Sequence, residues 1–198
     1  MSLGAIDYPE HVGRWQPDAR GRLEQAALAL YSERGFDDTT VADIAERAGL
    51  TKRTFFRHFK DKREVLFGGA AALQELLVTE VAQAPDSAPP FDAVIGALQA
   101  SASLFEERRD FATRRQQIIA SNPELQEREL IKLASLAAAM AGAHRGRGVG
   151  DRAATLTAEA GVTVFRIAFE RWVSPANRKR LQVLIRESVG ELRAVTAA

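Results

Sequence analysis

The apolar residues of this chain recur at spacings of three and four, and no segment shows the alternation of Val, Ile and Thr with polar residues that a half-buried strand needs. One face of a helix is the surface such spacing covers. The chain is therefore expected to be all-α. Turn signals divide it into about nine helices, and the stretch from Ala82 to Asp92, which holds three of the seven prolines, is the clearest internal linker. Hydrophobic residues make up 46% and charged residues 27% of 198 residues, enough apolar material for one or two packed units. With no cysteine, disulfides, thiolate metal sites and thiol nucleophiles are excluded. The three His are scattered, so no metal and no cofactor is expected. The longest apolar stretches, such as Leu133 to Ala143, are about half of the roughly 20 residues that cross a bilayer. The N-terminus has no charged-then-apolar leader pattern. No membrane partner and a cytoplasmic location are the resulting expectations.

Caps and glycines set the helix limits. Asp18 is placed to cap a first helix carrying Leu23, Ala26, Ala27, Leu30 and Tyr31, which Gly35 ends. Thr40 with Asp43 opens a short second helix, and Gly49-Leu50-Thr51 turns into a third, Lys52 to about Phe59, capped by Thr51. Asp61 and Glu64 read as a capping box for a fourth helix running to about Val81. Beyond the linker, helices are expected at about Phe91–Glu107, Asp110–Ser121, Pro123–His144, Asp151–Val173 and Pro175–Val195, with Asn122-Pro123 and Ser174-Pro175 each placing a cap ahead of a first-turn proline.

Charge singles out one segment. The net charge is only +1, but Arg47 to Arg63 holds seven cations against Asp61, a local +6 that leaves −5 for the other 181 residues. Two short helices joined by a glycine turn, with basic residues on the second, describe a helix-turn-helix reader of DNA with a phosphate-attracting patch. An enzyme finds no support: the chain has no G-x-S-x-G, no phosphate loop and no H-E-x-x-H.

The stretch RLEQAALALYSERGFDDTTVADIAERAGLTKRTFFRHFKDKREVLF, Arg22 to Phe67, resembles the DNA-binding domain of the TetR family of bacterial regulators across nearly its whole length. The likeness rests on Gly35-Phe36, Thr39-Thr40-Val41, Ile44-Ala45, Ala48-Gly49-Leu50-Thr51, the aromatic cluster ending in Phe59, and Lys62. It implies an N-terminal arm (1–17), a helix-turn-helix domain (18–66) and a helical effector-binding and dimerisation domain (67–198). Lys52, Arg53 and Thr54 would face base edges, Arg57 and His58 bases or flanking phosphates, and Thr40 and Lys62 phosphates, with Thr51 also counted among the DNA-binding residues. Phe56 stands where the family usually has tyrosine. It lacks the hydroxyl that contacts a phosphate, and is read as core or as an apolar contact with the DNA backbone, core being preferred. Phe55 and Phe59 are read as core.

A reader of a palindrome needs two copies. The stripes on the last two helices, with Gly161, Phe165 and Trp172 on one and Leu181, Leu184, Ile185 and Leu192 on the other, would form an isologous four-helix interface, as the resemblance also implies. Phe105, Phe111, Arg115, Ile118, Ile119, Leu136, Met140, Phe165 and Phe169 would line a cavity for a small hydrophobic effector, with Arg114, Arg115, Arg166 and His144 available to an anionic head group. The resulting reading is a dimeric repressor on palindromic double-stranded DNA, released when the effector shifts the fourth helix. The alternatives are a ligand-binding or scaffold protein with a non-specific DNA-binding head, and a regulator whose ligand promotes DNA binding.

Overall fold

The computed structural model describes residues 19–197; the expected arm and the Asp18 cap lie outside the described residues. Among those residues the fold is all-helical, with nine α-helices: α1 Ala19–Arg34, α2 Val41–Arg47, α3 Lys52–His58, α4 Ala70–Gln83, α5 Pro90–Glu106, α6 Arg109–Ala120, α7 Pro123–Gly146, α8 Asp151–Val173 and α9 Leu181–Thr196. A 3-10 turn, Glu64–Phe67, precedes α4.

In the first three helices the local chemistry acts as the residues suggest. Gly35 leaves α1 at φ +90°, a conformation that costs glycine little. Thr40 and Asp43 form a complete capping box, and the Thr51 hydroxyl accepts from the Thr54 amide at 3.1 Å. Gly49 turns at φ +63°, where a Cβ would meet Arg22 Nη2 at 2.8 Å.

Two expected starts are corrected. The fourth helix does not begin at the Asp61 box. Asp61 Oδ1 accepts from the amides of Arg63 (2.9 Å) and Glu64 (3.1 Å), but Glu64 does not close the box and turns instead to Arg128 and Lys132. Only a 3-10 turn results, and α4 starts after Gly68 and Gly69. At Gly68 the chain passes so close to α1 that a Cβ would lie 2.9 Å from Arg20 Nη2 and Glu24 Oε1. The ninth helix starts at Leu181, not Pro175. Ser174 is extended, as a residue before proline tends to be, and the carbonyls of Trp172 and Asn177 accept from Arg109 Nη2, each at 2.9 Å. The start of α9 is capped from another helix, with Glu106 Oε1 accepting from the Leu181 amide at 2.7 Å.

The buried residues form two cores. One belongs to the head and contains Leu23, Leu30, Tyr31, Phe36, Ile44, Phe55, Phe59 and Phe67 together with Ile118, Ile119 and Leu125 from α6 and α7. The other fills the body, where α7 packs on α4 and α8, and α5 on α4, α8 and α9. The segment Glu64–Gln83 has a mean hydropathy of 1.4 over a membrane-spanning length, which the expectation from apolar runs overlooked. Here it places Val65, Leu66 and Phe67 in the head core and Leu77 and Val81 in the body core.

Candidate nucleic-acid interface

The geometry of α3 follows from its two phenylalanines. Phe55 and Phe59 are buried one turn apart with ring centroids at 5.6 Å, which fixes the helix against α1 and α2 and turns Lys52, Arg53, Phe56 and Arg57 outward. Phe56 is 57% exposed, so the preference for a core position is corrected: it lies on the outward face, in edge contact with Phe55 at 5.5 Å. Thr51 is exposed and Thr54 half-buried, their hydroxyls 3.0 Å apart.

Thr40 is exposed, but its amide (2.8 Å) and hydroxyl (2.7 Å) both donate to Asp43 Oδ2, which also pairs with Arg34 at 3.0 Å. These contacts, that of the Thr40 hydroxyl first, hold the Asp43 carboxyl below the usual range. Lys62 is placed differently from the phosphate-binding position expected of it. Its ammonium donates to the carbonyls of Phe36 (2.8 Å), Thr39 (3.0 Å) and Asp37 (3.2 Å), which uses all three protons, and it lies 4.3 Å from the Phe36 ring centroid. Lys62 is thus a brace inside the head. His58 is half-buried, with Nε2 shielded and without a partner among the described residues.

Pairing reduces the +6 patch. Arg47 makes two bonds to Glu33, at 3.0 and 2.8 Å, and Arg63 pairs with Asp61 and Glu124. Among the described residues, Lys52, Arg53, Arg57 and Lys60 remain with neither an ion-pair partner nor, as Lys62 has, backbone carbonyls around the charge. These four lie on α3 and just past its end.

Residues 24–67 match the family model described as bacterial regulatory proteins, tetR family, and residues 88–197 match the MftR C-terminal domain. The chain belongs to the TetR family. Similar curated proteins include the HTH-type transcriptional regulator TcmR of Streptomyces glaucescens, 37% identical over 41% of this chain and 36% of the relative. Another is the regulator MftR of Mycobacterium tuberculosis, named for mycofactocin biosynthesis, 27% identical over 61% of each. The chain thus spans about a third to three fifths of these relatives. Two solved structures share the fold: the SmeT–triclosan complex (TM-score 0.61, 18% identity, 87% of this chain and 90% of that one) and Thermus thermophilus FadR with lauroyl-CoA (TM-score 0.53, 23% identity, 87% and 92%).

In this TetR-family body the residues expected to line one cavity divide between the two cores. Phe105, Phe165 and Phe169 cluster with centroids 5.5 to 5.7 Å apart, and Leu136 and Met140 lie in the same core. Phe111, Ile118 and Ile119 join the head core instead, because that face of α6 lies on α1. Arg115 is half-buried at the junction, donating to the Leu66 carbonyl at 2.6 Å and to Glu129 at 3.0 Å. Burial pushes its guanidinium below the ordinary arginine value. His144 is fully buried, and burial, then Arg147, lowers its pKa.

The dimerisation stripe is also corrected. Gly161, Phe165, Trp172, Leu181, Leu184 and Ile185 are buried within the protomer, and half-buried Leu192 packs against the same core. A Cβ at Gly161 would lie 2.2 Å from Val94 Cγ1, so its bare backbone serves the α5–α8 crossing. An apolar stripe records that something covers a helix, and here the protomer itself does so.

Sequence reasoning also missed what ties head to body. Glu24, nearly buried, pairs with Arg20 and Arg108, and Glu64 with Arg128 and Lys132. The cations Arg108, Arg128 and Lys132, just before α6 and within α7, were the available signal, but the spacing alone shows no partner in the head.

Proposed function

We propose that the chain is a dimeric, ligand-responsive transcriptional regulator acting in the cytoplasm, a repressor that reads a palindromic operator and is released by a small hydrophobic effector. The observation that carries this is the outward face of α3, where Lys52, Arg53 and Arg57 stand unpaired behind a rigidly packed pair of phenylalanines. Lys and Arg at such a face can donate to guanine O6 and N7. The names of TcmR and MftR as transcriptional regulators support the same role, and nothing in the residues favours an enzyme.

Dimerisation then uses the faces of α8 and α9 that the protomer leaves open, with Leu156 at 71% exposure and Val195 at 77% as apolar anchors. The aromatic cluster of Phe105, Phe165 and Phe169 is the place for an effector; triclosan with SmeT and lauroyl-CoA with FadR are hydrophobic or acyl precedents in proteins of this fold. The signal reaches the head through the Glu64–Arg128–Lys132 and Arg115–Leu66 bonds of α6 and α7 as well as through α4. An effector acts by binding the released form more tightly, by the factor it subtracts from DNA affinity.

Selection from random duplexes with the purified protein, at two salt concentrations, tests the reading. A preferred palindrome with steeply salt-dependent affinity is expected. Arg53→Ala should weaken binding to the selected site by about ten- to a hundredfold, the worth of roughly one guanine contact. No enriched sequence would remove the regulator assignment.

A further inference from the structure

Phe56 is the only exposed apolar side chain on α3, and its neighbours on the outward face are the unpaired cations Lys52, Arg53 and Arg57. A lone surface phenylalanine is ordinary, so its position decides what it can do. At about 100° and 1.5 Å per residue, Phe56 falls between Lys52 and Arg53 around the helix axis and about one turn beyond them along it. The ring packs edge-on against Phe55 at 5.5 Å, with the two planes 83° apart, and Phe55 is fully buried. That contact limits where the ring can point and leaves its other side open.

A phenyl ring has no donor or acceptor, so it cannot read the hydrogen-bonding pattern of a base pair. The apolar group that base edges present in the major groove is the 5-methyl of thymine, and phenylalanine is a side chain that suits it. The hydroxyl that tyrosine would carry at this position is absent, so the tip of the ring has nothing to donate to a phosphate oxygen.

We infer that Phe56 is a specificity-determining residue that packs on the 5-methyl group of one thymine in each half-site. The inference rests on the proposed reading of DNA by α3. Lys52 or Arg53 donates to a guanine, and Phe56, about 4.5 to 6 Å further along the helix, covers a thymine one or two base pairs away, successive pairs being about 3.4 Å apart. Guanine and thymine then stand at a fixed, short separation in each half-site. A phenylalanine among Lys and Arg would also suit an anionic lipid surface, but a seven-residue helix with one outward apolar side chain has too narrow an apolar face to lie in a membrane.

The palindrome selected from random duplexes supplies the thymines to test. Each is replaced in turn by deoxyuridine, which removes the methyl group and keeps every hydrogen-bonding group, and the affinities of the intact wild type, Phe56→Ala and Phe56→Leu are measured by fluorescence anisotropy. At one thymine per half-site, within two base pairs of a guanine, deoxyuridine should weaken the wild type about fourfold, the worth of one buried methyl group. Phe56→Ala should bind the two duplexes equally, and Phe56→Leu should keep part of the preference. Equal losses in the wild type and Phe56→Ala would overturn the inference, because another residue would then hold the methyl. So would a wild type indifferent to every thymine methyl: Phe56→Ala weakened on both duplexes would then place the ring on the sugar–phosphate backbone, and loss of binding to anionic vesicles in that variant would place it on lipid. Each of these outcomes leaves the selected palindrome, and the regulator reading, intact. Absence of any enriched sequence would remove both.

Discussion

The head and the body are built of the same material, amphipathic helices, but differ in how their contacts are encoded. In the head the helices are short, each joined to the next by a capped or glycine turn, so two buried phenylalanines and a pair of threonine caps already determine which side of α3 faces out. In the body the helices run up to 24 residues, and the apolar stripe of α8 is equally compatible with its own α5 and with a second chain. Short loops limit the partners a face can find, whereas long helices leave that choice to the tertiary packing.

The largest test of this contrast is Trp172, fully buried beside Phe169 and expected from the stripe to lie between chains. Trp172→Ala should destabilise the fold by about 3–5 kcal/mol. In urea unfolding the loss should be the same at low and high protein concentration; a loss confined to dilute protein would place Trp172 at the dimer after all. Gly161→Ala comes next, at about 1–3 kcal/mol, because Val94 is β-branched and cannot swing clear of the added methyl. Size-exclusion chromatography should show the oligomeric state unchanged.

The smallest effect falls where head and body meet. Burial raises the pKa of Glu64, but bonds from Arg128 and Lys132 outweigh it, so the folded value lies below the ordinary one. Stability from this group is therefore full above the unfolded pKa and is lost as pH falls through the folded one. With its partners about a third exposed, Glu64→Gln should cost about 1 kcal/mol at neutral pH. Chemical unfolding across an acid series should show the gap between wild type and variant closing as Glu64 protonates.

The sequence made the helices legible nearly to the residue wherever a side chain caps its own helix, as at Thr40, Thr51 and Asn122. It misled where the cap comes from elsewhere: Glu106 starts α9 across 75 residues, and Glu64 leaves its own turn for α7. On the outward face of α3 the spacing of Lys52, Arg53 and Arg57 was sufficient to show that they point away from Phe55 and Phe59. Phe56 was misplaced because an aromatic next to a buried one was read by its hydrophobicity, although the helical phase puts it 100° away from Phe55. Lys62 and Arg63 looked like free charges because a count of residues does not include backbone carbonyls or distant acids.

The bracing of Lys62 also bears on how the protein can respond to anything at all. Its ammonium joins the α3 exit to the α1–α2 turn, the Tyr31 hydroxyl donates to the Lys62 carbonyl at 2.6 Å, and Arg22 holds the carbonyls of Ala48 and Gly49. Both ends of α3 are thus clamped to α1. Ile118, Ile119 and Leu125 carry the head core into α6 and α7, so a shift of either body helix would reach α3 through packed side chains and move it together with α1 and α2.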